Sequence, residues 1–328
     1  MIEDIFRNTL RQDGLLKNKD KVILGVSAGP DSMFMFYQFL KIKKEYNLRL
    51  LCAHFNHGLR KESDGEEIFL RKVCKKIGIE FISEKKNVQD FFNGDSLEQT
   101  ARNLRLDFFL KCSRQTKIKK ISLAHHKDDL AETVLMRLIR GSGLKGLRGF
   151  SSKSKFKNLT IIRPLIEIRK KDIVDWLEIN KISYCIDKSN LNEKFLRNRI
   201  RLKLLPLLEG LNPNIRENLY NLARNISLDY DFIYSLSYQK FTELKLGQMR
   251  NSLSLDLQGI KDLPLAIFNN VIRIAVEQFK GNTRQLETKH VSEIRDLVFK
   301  RPLGSVVDLP DLQVKKEAKA LIIQSLIL

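Results

Sequence analysis

Over the first two thirds of the chain the apolar positions alternate between two patterns. Short apolar runs at 22–26, 48–53, 79–82, 121–124 and 160–162 have the length and composition of buried strands. Between them the apolar residues return every three or four positions: Met33, Phe36, Tyr37 and Leu40 first, then 66–77 closed by Gly78, 96–114, 128–140, and 169–180 with Trp176. These spacings predict helices, and Ser96 with Gln99 reads as a capping box. Alternating strands and helices predict an α/β fold, a doubly wound parallel sheet of Rossmann-like type. From 212 to 300 the pattern is helical, with Leu219, Leu222 and Ile226 on one stripe, and 304–323 reads as a small β-hairpin. The expected domains are therefore 1–210 and a smaller, mainly helical 211–328 that ends in the hairpin.

Ligands of such sheets bind at the C-terminal ends of the strands, and the polar clusters fall there. The first strand runs into Ser27-Ala28-Gly29-Pro30-Asp31-Ser32, with Asp31 or Ser32 as the expected helix N-cap. A strand, a small-residue turn and a helix N-terminus make an anion site, because unpaired N–H groups and the positive end of the helix dipole converge. The Gly-Lys-Ser/Thr of a Walker loop occurs nowhere in the chain. The second strand ends at His54-Phe55-Asn56-His57-Gly58-Leu59-Arg60, the fourth at Ala124-His125-His126-Lys127-Asp128-Asp129-Leu130-Ala131-Glu132-Thr133. Three readings of these histidines stand open: a zinc site, caps on strand-end backbone groups, or a nucleotide and substrate pocket. Asp129 and Glu132 lie three apart, so both carboxylates can reach one cationic group; the plainer reading is a solvated first turn. Arg140 and Gly141 open a basic, glycine-rich loop, a second candidate phosphate nest.

Composition adds a polyanionic partner. Lys+Arg outnumber Asp+Glu by 59 to 39 among 328 residues. Residues 148–203 hold 15 Lys+Arg against 6 Asp+Glu, with Arg197, Arg199 and Arg201 at alternate positions. That is either a solvated face or a patch that tracks nucleic-acid phosphates. No cationic start precedes an apolar core, and no apolar run reaches the length of a membrane span, so a cytoplasmic location is expected. The four cysteines form no CxxC pair, which argues against a disulfide framework or a zinc ribbon.

The loop at 27–32 resembles the pyrophosphate-binding loop (PP-loop) of the ATP pyrophosphatase superfamily, Ser-Gly-Gly-x-Asp-Ser, with Ala28 in place of the first Gly. Adding the segments at 54–60, Glu98 with Ala101, Arg102 and Arg105, then 124–133, 140–143, Arg163-Pro164-Leu165, Asp187-x-Ser189-Asn190 and Arg197-Asn198-Arg199, the chain resembles the bacterial tRNA(Ile)-lysidine synthetase family over about 20–206. The resemblance implies a PP-loop ATPase domain followed by a helical tRNA-binding domain, and a two-step ligation. ATP adenylates C2–O of the wobble cytidine of an isoleucine tRNA with a CAU anticodon, and free L-lysine then displaces AMP. It further implies that Ser27, Ala28, Gly29, Pro30, Asp31 and Ser32 hold ATP together with His54, Arg140 and Gly141. Asp31 would orient Mg²⁺, and Asp129 and Glu132 would bind the lysine amine and take its proton. Arg102 or His125 would stabilise the adenylated oxygen or hold the lysine carboxylate, and Arg197, Arg199 and Arg201 would contact tRNA. A homodimer is left open. The rivals are a tRNA thiolating enzyme, which needs cysteines near the site, an amidating synthetase, which needs no basic patch, and a non-catalytic RNA-binding protein.

Overall fold

The computed structural model describes residues 1–58, 62–92, 97–186, 195–283 and 285–326. The Ser96 cap, Leu59, Arg60, Asp187, Ser189 and Asn190 lie outside the described residues. Two compact units divide the chain, Met1–Ile226 and Ser227–Leu328.

In the first unit α1 (Ile2–Gln12) precedes β1 (Lys21–Gly25), α2 (Pro30–Ile42), β2 (Arg49–Asn56), α3 (Glu62–Ile77), β3 (Glu80–Lys85), α4 (Leu97–Thr116), β4 (Lys120–Ser122), α5 (Lys127–Ile139), α6 (Leu144–Leu147), β5 (Lys153–Phe156), β6 (Leu159–Ile162), α7 (Lys170–Ile179), α8 (Leu196–Arg199), a π-helical turn at Ile200–Leu204, α9 (Leu205–Leu211) and the start of α10 (Ile215–Leu244). The six strands lie in the order β3-β2-β1-β4-β6-β5. All pairs are parallel except β5 on β6. Strand alternation explains why both faces are buried. Val22 and Leu24 of β1 join Leu50 and Cys52 of β2 in one core, while Ile23, Leu51, Ala53 and Phe55 join Phe108 and Phe109 of α4 in another. Gly25 is required by close approach: a Cβ there would meet Phe109 Cζ at 2.8 Å and Leu123 Cδ2 at 2.9 Å. The chain leaves β1 towards β2 and β3, then returns to place β4 on β1's other side. That topological switch opens a crevice past the C-terminal ends of β1 and β4.

The doubly wound sheet expected from the alternation is present, with differences at its margins. The edge strand β5, Lys-Ser-Lys-Phe and half exposed, has too few apolar residues to register as a buried run. The N-cap of α2 is Gly29, two residues before Asp31 and three before Ser32, the expected caps, and the helix opens at Pro30, because proline's fixed φ suits the first helical position. The units part inside α10, since Leu219, Tyr220 and Ala223 share a core with Leu130, Val134 and Ile200 of the first unit. Leu222 is instead 46% exposed, so the expected stripe is rotated by one position.

The second unit holds the rest of α10, then β7 (Lys245–Gln248), β8 (Ser252–Asp256), α11 (Leu257–Lys261), α12 (Leu265–Lys280), α13 (Thr288–Phe299), β9 (Val306–Leu309), β10 (Leu312–Lys316) and β11 (Ala320–Ser325). The expected hairpin is part of a five-stranded antiparallel sheet, β7-β8-β11-β10-β9. Its inner face carries Leu253, Leu255, Leu312, Val314, Leu321 and Ile323, packed on Val271, Ile272 and Ala275 of α12. Two of its strands, β7 and β8, interrupt the segment read as helical; Ser-Leu-Ser-Leu-Asp alternates with period two, as a one-face-buried strand must.

Candidate active site

The loop 27–32 sits at the switch point, between β1 and α2. Ser32 Oγ accepts from the Ser27 N–H at 3.1 Å, lies 3.2 Å from Ser27 Oγ and donates to the Gly29 carbonyl at 2.9 Å, so the two serines close the turn on itself. Ala28 is fully buried and adopts φ +64°, the left-handed region that favours glycine. Helix α2 begins at Pro30, which has no N–H to leave unpaired, and the N–H groups of Asp31 and Ser32 lack intrahelical acceptors. Loop and helix end thus present backbone donors and a positive dipole end to one spot.

Asp31 is not bare. Lys170 Nζ, from the first position of α7, donates to both its oxygens at 2.5 and 2.6 Å. His126 Nε2 lies 3.7 Å from Asp31 Oδ1. His126 also caps α5: its N–H donates to Asp129 Oδ2 at 3.0 Å, and its Nδ1 accepts from the Asp129 N–H at 3.4 Å. One histidine therefore stands between the loop and the acidic turn that follows β4.

Asp129 and Glu132 do reach one cationic group, as their spacing implies, and it is the chain's own Arg197. Its Nε donates to Glu132 Oε2 at 2.7 Å and its Nη2 to Asp129 Oδ1 at 2.8 Å. Arg201 adds bonds to both Glu132 oxygens at 2.6 and 3.0 Å. Glu132 is 1% exposed. Burial acts to raise the Asp129 pKa, but electrostatic interaction with the neighbouring His126 and the Arg197 guanidinium, and the hydrogen bond from the His126 N–H, outweigh it and hold the carboxyl far below its ordinary range. Burial likewise opposes the charge on Arg197, and its two carboxylate partners more than restore it. The expectation that Arg197 and Arg201 face tRNA phosphates is corrected by this geometry: a guanidinium clamped on a buried carboxylate is not free to track a backbone. Arg199, on the other side of the short helix α8, is exposed.

A second group of guanidiniums lies against His125. Arg163 Nη1 donates to the Ser151 carbonyl and to Ser154 Oγ at 2.8 and 2.9 Å, while its Nε, buried, meets no partner. Its guanidinium lies 5.4 Å from the Phe150 ring, whose other neighbour is the His125 ring at 5.2 Å. Burial, reinforced by neighbouring arginines, pulls the pKa of Arg105 and of Arg163 down to about 10. Burial also pushes His125 well below its ordinary value, so its imidazole is neutral, with Nδ1 partnerless. Arg102, whose side chain reaches solvent, is lowered as well, by partial desolvation of its guanidinium and then by Arg137 and Arg197. Crowded guanidiniums, two of them with a buried Nε that meets no partner, suit an oxyanion.

Three other expected ligands are placed elsewhere. His54 is 1% exposed, and its Nδ1 lies 2.9 Å from the Val26 carbonyl. It braces the strand end beneath the loop, the cap reading rather than the cofactor reading. Arg140 and Gly141 end α5, where the dipole is negative. Their N–H groups already donate to the Met136 and Leu138 carbonyls, at 3.3 and 2.9 Å, so these two backbone donors are not available for a phosphate nest. Among the described residues no three His, Cys, Asp or Glu side chains group to hold a metal. A Mg²⁺ that takes most of its ligands from ATP phosphates and water needs only one or two carboxylates. Asp31, 27% exposed at the loop, fits that donor set once Lys170 yields an oxygen.

Sequence reasoning missed Lys170, Asp128 and Arg216. Asp128 accepts from the Lys170 N–H at 2.7 Å and from Arg216 Nη1 at 2.7 Å, tying α5, α7 and α10 together below the site. A signal for Lys170 was present: Arg169, Lys170 and Lys171 crowd a helix N-terminus, the end at which cations are disfavoured.

Residues 2–208 match the PP-loop domain family. The tRNA(Ile)-lysidine synthase of Petrotoga mobilis is 31% identical over 318 residues, 96% of each chain. Those of Clostridioides difficile and Clostridium tetani are 31% and 35% identical over 94% of this chain and 67% and 66% of their own. The chain thus spans about two thirds of the length of these clostridial relatives. The solved U34-tRNA thiolase NcsA from Methanococcus maripaludis, with its [4Fe-4S] cluster, superposes with a TM-score of 0.58 at 22% identity, over 69% of this chain and 77% of that one, a likeness of fold. The chain belongs to the PP-loop family and, within it, to the tRNA(Ile)-lysidine synthases.

Proposed function

We propose that this protein uses ATP to join free L-lysine to C2 of the wobble cytidine of an isoleucine tRNA with a CAU anticodon, releasing pyrophosphate and then AMP. The observation that carries the reading is the meeting, at one switch point, of the loop 27–32 with the Asp129–Glu132–Arg197 cluster through His126. The loop amides and the α2 N-terminus receive phosphate. Asp31 would hold Mg²⁺ with phosphate oxygens, and the metal when bound would neutralise phosphate charge. The cytosine leaves its stack to reach the crevice. Its C2 oxygen attacks the α-phosphorus, and the guanidiniums around His125 hold the anionic groups gathered there, the adenylated oxygen or the lysine carboxylate.

Asp129 is the anchor for the lysine ammonium. Its very low proton affinity suits an electrostatic anchor better than the proton acceptor first expected. Glu132, enclosed by two arginines, holds them in place. The rest of the partner chemistry follows the charge: exposed Arg199 and the basic 148–203 segment approach tRNA phosphates. The thiolating alternative has less support, because Cys52, Cys74 and Cys112 are buried in the sheet cores and only Cys185, whose N–H donates to the Ala28 carbonyl at 2.9 Å, lies beside the loop, short of the several thiolates an iron–sulfur cluster takes. The test supplies ATP, labelled lysine and total tRNA. Label is expected in the tRNA with wild type, and Asp129→Asn is expected to keep pyrophosphate release while losing lysine transfer. Equal loss of both steps would move Asp129 to the ATP site, and no labelled tRNA with wild type would sink the reading.

A further inference from the structure

Between α1 and α7 of the first unit lies an open groove of about 700 Å³, which includes no residue of the loop 27–32 or of the acid–arginine cluster. Its origin is local. Both helices turn one face into a shared core, Phe6 and Leu10 from α1 with Ile173, Trp176 and Leu177 from α7. The next residues round each helix are left outside: Ile5 on α1, 37% exposed, and Asp172, Asp175 and Ile179 on α7, the last 79% exposed. Positions 172, 175 and 179 are three and four apart, so they form one stripe along the groove. Single exposed isoleucines are ordinary; these line one concavity of ligand-binding size. The charge of the groove is opposite to that of the chain. The chain carries +20, with 59 Lys and Arg in 328 residues, yet none of the lining residues is Lys or Arg, and four are carboxylates. Glu3 is engaged by Lys41 and the Trp176 indole at 2.7 and 2.9 Å, and Asp4 by the Met1 amine at 2.7 Å. Asp172 and Asp175, both exposed, have no hydrogen-bonding or ionic partner among the described residues.

We propose that this groove is a docking site for a basic amphipathic helix of a protein partner. Such a helix lays its apolar stripe, at i, i+3, i+4 and i+7, into a groove between helices. Ile5, Trp176 and Ile179 receive the stripe, and Lys or Arg beside it meets Asp172 and Asp175. The open side favours a helix over a small ligand. A small ligand would stay half in water, whereas a helix about 10 Å across covers the opening with its own backbone. Recognition is then local: the acids attract a cation that the rest of a +20 chain repels, and they turn away an acidic partner that the rest of the chain attracts.

The test uses two synthetic peptides of about 18 residues with Leu at helical spacing, one with Lys at the remaining positions, the other with Glu there, and neither with Trp. Each is titrated into the full chain by calorimetry, while the emission of Trp176, the chain's single tryptophan, reports on the groove. The basic peptide is expected to bind saturably and shift that emission, and the acidic peptide to leave it unchanged. Nonspecific attraction to a chain of +20 would favour the acidic peptide instead. Asp172→Asn with Asp175→Asn should weaken the basic peptide roughly three- to tenfold, and Ile179→Gln about tenfold. All three positions are exposed, so thermal melting is expected to stay as in wild type. The proposal is overturned by no binding of the basic peptide, by binding that leaves Trp176 unmoved, by an equal shift with the acidic peptide, or by affinity unchanged in these variants. A wild type that light scattering finds dimeric and that Ile179→Gln makes monomeric overturns it too, and gives the groove to a second copy of this chain.

Discussion

The two units treat buried polar groups in opposite ways. In the second, Ser237 is fully buried and donates to the Ile233 carbonyl, while Lys316, 7% exposed, donates to the Val298 and Arg301 carbonyls. In the first, Gln38, His54, Arg105, His125 and Arg163 each keep a buried nitrogen with no partner, and no such atom occurs among the described residues of the second. A buried donor without an acceptor costs on the order of 1–3 kcal/mol. A fold that completes its hydrogen bonds in one unit and leaves several open in another has a reason at the second place. Two of the open atoms, on Arg163 and His125, flank the Phe150 ring near the ends of β6 and β4. These open atoms support the binding role proposed for the first unit.

The comparison is broken most forcefully by exchanging one buried charge in each unit. Glu132→Ala leaves two guanidiniums facing an apolar hole and is expected to cost about 3 kcal/mol; 25–32% exposure of the arginine side chains keeps it at the low end of the range for broken buried pairs. Lys316→Met removes a buried charge along with its two bonds and keeps most of the volume, so about 1 kcal/mol is expected. Trp176 is the chain's single tryptophan and lies in the first unit, so its fluorescence in urea follows Glu132→Ala while circular dichroism follows both. Equal costs would mean that the acid–arginine cluster is ordinary core.

The parallel sheet was legible because its strands are short apolar runs that need no tertiary information. The site was legible where residue type and spacing suffice: the loop, and the reach of Asp129 and Glu132 to one cation. It was not legible where the partner comes from far along the chain. Nothing local says that Arg197 and Arg201 turn inward to Glu132, or that Lys170 meets Asp31. Nor does a strand-end histidine reveal whether it faces a ligand or, like His54, a backbone carbonyl just past the neighbouring strand β1. The second unit's β8 was readable by its period-two pattern but was absorbed into a longer helical reading.

A smaller effect sharpens the comparison through pH. Burial lowers the pKa of His125 and of His54 below the ordinary histidine value. The unfolded chain therefore takes up protons near pH 6.5 that the folded chain refuses until lower pH. Stability contributed by the neutral rings is present above that point and lost as pH falls, by at most about 1.4 kcal/mol per pH unit for each group. Urea midpoints followed by Trp176 fluorescence are expected to fall between pH 7.5 and 5.5, by roughly 1 kcal/mol in all. His125→Gln is expected to make the decline shallower. An unchanged slope in that variant would mean that His125 is protonated in the fold and that its unpaired nitrogen has another explanation.

The smallest expected effect is at Ala28, where three contributions nearly cancel. An alanine at φ +64° carries roughly 1 kcal/mol of backbone strain that glycine would relieve. Glycine would also give back about 0.5–1 kcal/mol of unfolded-state entropy. It would further delete a fully buried methyl, at a cost of about 1 kcal/mol. Ala28→Gly should therefore move the urea midpoint by no more than about 1 kcal/mol, towards lower stability, while pyrophosphate release persists because glycine adopts the same turn at no steric cost. If the variant were instead clearly more stable but slower in releasing pyrophosphate, the strained alanine would itself be part of how the loop is shaped for phosphate. Functional incompleteness would then extend from the side chains of the first unit to its backbone.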